Sequence, residues 1–114
     1  MVSCYERFVA TYQVDPWDAL GDPTRRAIFE QISRSPVAVG ELAARLPVSR
    51  PAVSQHLKVL KEAGLVVDRA EGTRRVYAVH SAGLAKLRRD LDRFWDHALD
   101  AFKHAVEDTK EKTK

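Results

Sequence analysis

Five prolines, at positions 16, 23, 36, 47 and 51, divide the first half of this 114-residue chain, and none follows. Proline lacks a backbone N–H and clashes with the preceding turn, so a helix accepts it only near its start. Each proline therefore opens a helix or closes one. Asp15-Pro16 ends a helix over 5–13 whose Tyr5, Phe8, Val9 and Tyr12 share one face, and residues 17–20 add a further turn. Asp22-Pro23 caps and opens a second helix, which runs through Ile28, Phe29 and Ile32 and stops before Ser35-Pro36. Pro47 closes a short third helix over about 40–46, with Leu42, Ala43 and Leu46 inward. Ser49 caps a fourth, with Pro51 in its first turn and Gly64 as the left-handed stop.

Beyond Gly64 the period changes. Residues 65–70 and 75–79 are short β-rich runs around Glu71-Gly72-Thr73, which reads as a hairpin with a glycine turn. Helical spacing returns over 81–108, with Leu84, Leu87, Leu91, Phe94, Trp95, Ala98, Leu99, Phe102, Ala105 and Val106 on one broad face. The expected architecture is mainly α with a small β-hairpin, a single domain over 1–108 and a charged, disordered tail over 109–114. Two helices joined by a three-residue turn and followed at once by a hairpin make a winged helix–turn–helix.

Composition sets outer bounds. With 45% hydrophobic and 31% charged residues, the chain belongs to neither the disordered nor the fibrous class. A single cysteine excludes an internal disulfide and a cysteine-built zinc site. The N-terminal MVSCYERFVATYQ lacks the apolar core of a signal peptide, and no run reaches the 18 apolar residues of a membrane span. A soluble cytoplasmic protein is the expectation.

The net charge of +3 conceals a distribution: residues 1–48 carry −1, residues 49–89 carry +6 and residues 90–114 carry −2. Screening limits each charge to a reach of about 8–10 Å, so a local excess matters more for phosphate binding than the total. At 100° per residue, Val53, His56, Leu57, Leu60 and Ala63 cluster on one side of the fourth helix. Arg50, Ser54, Gln55, Lys58 and Lys61 cluster on the other, where Glu62 is the one acid. With Ser49 at its start, that face offers the groups that read base edges and grip phosphates. An ordinary solvated face would interleave glutamate with lysine. Arg74 and Arg75 beside the hairpin turn, with Arg69 on the opposing strand, suit a wing that reaches a flanking backbone or minor groove. The competing reading is a charged edge that discourages aggregation. Nine residues are thus expected at double-stranded DNA: Ser49, Arg50, Ser54, Gln55, Lys58, Lys61, Arg69, Arg74 and Arg75.

The stretches ALGDPTRR (19–26), VGELA (39–43) and SRPAVSQHLKVLKEAGLV (49–66), together with the wing GTRRVY (72–77), resemble the ArsR/SmtB family of bacterial transcriptional regulators. The resemblance covers roughly residues 17–100. It implies a homodimeric repressor that binds an imperfect inverted repeat and pairs through its terminal helices. The residues support pairing independently, because Tyr5, Phe8, Tyr12, Leu91, Phe94, Trp95, Leu99 and Phe102 give the two ends more apolar surface than a small winged core covers. Two copies would set their reading helices about 34 Å apart, one turn of DNA. Packing of the two terminal helices on each other within one chain is the alternative.

No metal or other cofactor is expected. The family's thiolate site falls on Ala38, Gly40 and Ala43, which have no ligating atoms. Its last-helix site matches at His104 and Glu107, but the other half falls on Leu91 and Arg93. A looser stripe, His97, Asp100, His104 and Glu107, carries zinc-compatible atoms but lies where solvated polar residues belong. His56 reads as a hydrogen-bonded core histidine, and Cys4 as an inert thiol or a redox sensor. Alternatives to a repressor with an unidentified signal are a sensor using that stripe or Cys4, and a winged module that binds protein. Paired carboxylates in a pocket, a nucleophile–histidine–acid order and a phosphate-binding glycine loop are all missing, so an enzyme is not expected.

Overall fold

The computed structural model describes residues 14–112. Cys4, Tyr5, Phe8, Tyr12 and the helix expected over 5–13 lie outside the described residues. The chain divides into two compact units, the first ending at Leu84 and the second beginning at Ala85.

Proline and cap residues start three of the described helices, and the helix from Val39 begins without a side-chain cap. Helix α1 (Pro16–Gly21) is longer than the expected turn, because the Asp15 side chain accepts a hydrogen bond from Trp17 N–H at 2.8 Å. Helix α2 (Pro23–Arg34) is capped by Asp22, whose Oδ1 accepts from Arg25 N–H at 3.0 Å. Strand β1 (Val37–Ala38) follows, then helices α3 (Val39–Arg45) and α4 (Arg50–Glu62). Ser49 caps α4, accepting from Ala52 N–H at 3.3 Å. At its other end Gly64, with φ +76°, reverses the chain, so that Gly64 N–H donates to Lys61 O and Leu65 N–H to Leu60 O, both at 3.0 Å. This paired closure satisfies carbonyls that the helix end would otherwise leave bare.

Strands β2 (Val66–Glu71) and β3 (Arg74–Val79) form the expected hairpin, registered from Val66 opposite Val79 to Glu71 opposite Arg74. Gly72, with φ +64°, makes the turn. The sheet has three strands rather than two, in the order β1-β3-β2 and antiparallel throughout. Val37 lies opposite Tyr77 and Ala38 opposite Val76. A two-residue strand is too short to show alternation, and it gains its identity from a partner about forty residues away. The core of this unit joins Ile28 and Ile32 of α2, Leu42 of α3, Val53, Leu57 and Leu60 of α4, and Val37, Leu65 and Val66 of the sheet region.

Helix α5 (Ser81–Lys112) begins in the first unit and makes up the second. It continues over 109–112, part of the segment expected to be disordered. Thr109 Oγ1 donates to Ala105 O at 2.9 Å, and Lys and Glu are good helix formers, so nothing there stops the turn.

Candidate nucleic-acid interface

Helix α4 with its cap Ser49, and the hairpin, carry all nine expected DNA-facing residues. Val53, Leu57 and Leu60 are fully buried, which turns the opposite face of α4 outward and leaves Arg50, Ser54, Gln55, Lys58 and Lys61 exposed. His56 is half-buried and makes no hydrogen bond to another described residue. It sits at the edge of the core. The core role expected of it is therefore corrected, because its position on α4 lies between the buried and solvent faces.

The hairpin arginines are exposed but engaged. Arg74 and Arg75 alternate along β3 and diverge. The Arg74 guanidinium donates to Glu41 of α3, which also lies 3.9 Å from Arg45. Arg75 donates to Asp68 Oδ2 at 2.7 Å, and the other oxygen of that carboxylate accepts from Lys61 Nζ of α4 at 2.8 Å. Arg69 reaches Glu71 at 3.4 Å. Four of the nine expected residues thus have intrachain carboxylate partners. The face around α4 carries more acid than helix periodicity shows, because Asp68 enters it from the hairpin. Lys61 beside it, and then Arg75, hold the Asp68 carboxyl below the usual range.

Glu41 and Asp68 are the functional neighbours that sequence reasoning missed. Their charges were visible, but their partners lie on other elements. Between the start of α4 and the hairpin turn lies a concavity of about 340 Å³, bordered by Arg50, Thr73, Arg74, Arg75 and residues 38–40. Of the three arginines at its border, Arg74 and Arg75 are tied to Glu41 and Asp68, and Arg50 has no carboxylate partner among the described residues.

A helix–turn–helix domain matches residues 20–69. The chain is 63% identical over 91 residues to the HTH-type transcriptional regulator Rv2034 of Mycobacterium tuberculosis, covering 80% of this chain and 85% of that one. The chain belongs to the ArsR/SmtB family of transcriptional regulators. A second M. tuberculosis relative, the HTH-type transcriptional repressor SmtB, is 40% identical over 79% of this chain and 59% of its own. Among solved structures, an ArsR-like transcriptional regulator from Rhodococcus sp. RHA1 superposes with a TM-score of 0.65 at 38% identity, covering 77% of this chain and 86% of that one. The homodimeric winged helix–turn–helix DNA-binding domain Mb0332 of Mycobacterium bovis does so with 0.63 at 25% identity, over 84% and 89%. In this ArsR/SmtB regulator α4 is the second helix of the helix–turn–helix, and the β2–β3 hairpin is the wing that follows it.

The family's thiolate positions, Ala38, Gly40 and Ala43, fall at the end of β1 and within α3. Among the described residues, no three His, Cys, Asp or Glu side chains converge to hold a metal ion, and His97, Asp100, His104 and Glu107 stand exposed along α5. No helix among the described residues is long and apolar enough to cross a membrane.

Proposed function

We propose that this regulator is a cytoplasmic homodimeric repressor, without catalytic activity, that reads an inverted-repeat operator. In this reading Ser54 and Gln55 contact base edges from α4, while Arg50, Lys58, Lys61 and the wing arginines hold phosphates. The observation that carries it is the outward face of α4, where every expected reading residue is exposed. Arg50 and Lys58 have no carboxylate partner among the described residues, so their charge is available to a backbone. Repression is supported by the likeness to the SmtB repressor.

Pairing is supported by α5. Leu91, Phe94, Trp95, Leu99 and Phe102 are 50%, 72%, 60%, 47% and 68% exposed, along one stripe of the helix. Monomeric proteins rarely leave so long an apolar face in water. The homodimeric state of the M. bovis domain is consistent with that reading.

The test is a titration against duplex DNA from upstream of the protein's own gene and against random duplex, each at two salt concentrations. Preference for the upstream duplex is expected. Lys58→Ala should weaken binding to both duplexes and reduce the salt slope by about 0.9 per protomer. An unchanged slope would remove Lys58 from the phosphate contacts, and equal affinity for the two duplexes would sink operator reading at this sequence.

A further inference from the structure

We infer that Asp68 is a positioning residue for DNA recognition, fixing the wing to the reading helix and restraining indiscriminate phosphate binding by Lys61 and Arg75. The inference rests on the proposed DNA-binding role of those two cations. Each Asp68 oxygen takes a different partner, Oδ1 the Lys61 ammonium at 2.8 Å and Oδ2 the Arg75 guanidinium at 2.7 Å. One carboxylate therefore ties α4 to β3 while itself belonging to β2. Its side chain is 8% exposed, whereas Lys61 and Arg75 are 55% and 56% exposed. The acid is covered by its two partners, while both cations still present an open side.

Two consequences follow for a nucleic acid. A passing phosphate meets two cations whose charge is partly cancelled, so attraction without regard to sequence is reduced. Lys61 and Arg75 also lose the freedom to swing toward whichever phosphate is nearest. They support binding best where the groove places phosphates at their fixed positions, and phosphate contacts of that kind set register. Glu41 acts on Arg74 from α3, but it is 44% exposed and meets one wing residue, so it joins no part of the wing to α4.

The variant to measure is Asp68→Asn in the full chain, which keeps the shape and removes the charge. The DNA is a duplex that the wild-type protein selects from a randomised pool, compared with a random duplex of equal length. Removing one compensating charge per protomer should steepen the salt slope on random duplex by about 0.9 per protomer. The ratio of selected to random affinity should fall about fivefold, the upper end for one ion pair. Asp68→Glu keeps the charge and moves it, so it should leave the slope near wild type while lowering the same ratio. It tests the inference even if the Asn variant does not fold. Slope and ratio both unchanged in a folded Asp68→Asn protein, or a wild-type ratio in Asp68→Glu, would overturn the inference and leave DNA binding intact. A wild-type protein that selects no sequence would overturn the DNA reading itself.

Discussion

A Cβ placed on Gly83 would collide with the carbonyl of Gly64, and the His80 ring Nδ1 lies 3.0 Å from that same oxygen. The start of α5 thus seats directly on the residue that ends α4, with His80 N–H donating to Leu65 O at 2.9 Å. Because the obstacle is backbone, it cannot rotate aside. Gly83→Ala should destabilise the fold by about 1–3 kcal/mol, the usual cost of overpacking, read as a lower urea midpoint. Gly40→Ala is the matched control, since nothing lies within 4 Å of its added Cβ. Within α3 it should be neutral or stabilising by up to about 1 kcal/mol. Equal losses in the two variants would refute the collision argument. Gly64 was legible in the sequence, since a glycine after the last apolar helical position marks a left-handed stop. Gly83 was not, and neither was the partnership of Asp68 with Lys61 and Arg75. Both depend on distances between elements that no periodicity encodes.

The starts of α2 and α4 were the most legible elements because each rests on a side-chain oxygen with a proline one or two residues on, Asp22-Pro23 and Ser49-Arg50-Pro51. The Asp22 cap also has a titration consequence. The Arg25 N–H that it accepts holds its carboxyl below the usual range, as the Lys61 and Arg75 partners do for Asp68. A lowered folded pKa means that the native state favours the charged form. The stability so gained is complete above the unfolded value of about 4 and is lost as pH falls through the lowered folded value. Urea midpoints should therefore be flat from pH 7 to about 5 and fall below about 4. Asp22→Asn keeps a good cap but cannot titrate, so its midpoint should fall less steeply in acid while staying close to wild type at pH 7. Superimposable acid limbs would count against the cap as the titrating contributor. Strand β1 and the last turn of α5 were the illegible elements. One is defined by pairing to Val76 and Tyr77, and the other by the absence of a stop signal in a charged segment.

At the scale of the whole molecule, basic charge and apolar exposure are segregated along the chain. The +6 excess of residues 49–89 spans α4, the wing and the start of α5, where Lys86, Arg88 and Arg89 supply half of it, while the exposed aromatics Phe94, Trp95 and Phe102 stand further along α5. This segregation was legible from charge counting and helical spacing, since both are properties of sequence position. What covers the α5 stripe was not, because burial between copies leaves no mark that distinguishes it from burial within one chain. If a second copy covers it, DNA binding and pairing are linked by effective concentration: one bound half-site holds the second reading helix near its own. Phe94→Glu with Phe102→Glu places two charges per protomer, four per pair, where an apolar seam is proposed. Sedimentation equilibrium should then report a monomer, and affinity for a two-half-site duplex should fall by about 10²–10⁴-fold toward that for a single half-site. Affinity for the single half-site should change little, because α4 and the wing lie in the unit that ends at Leu84. A variant that remains dimeric would remove the stripe from the interface. A monomer that binds both duplexes as wild type does would show that pairing contributes nothing to operator affinity.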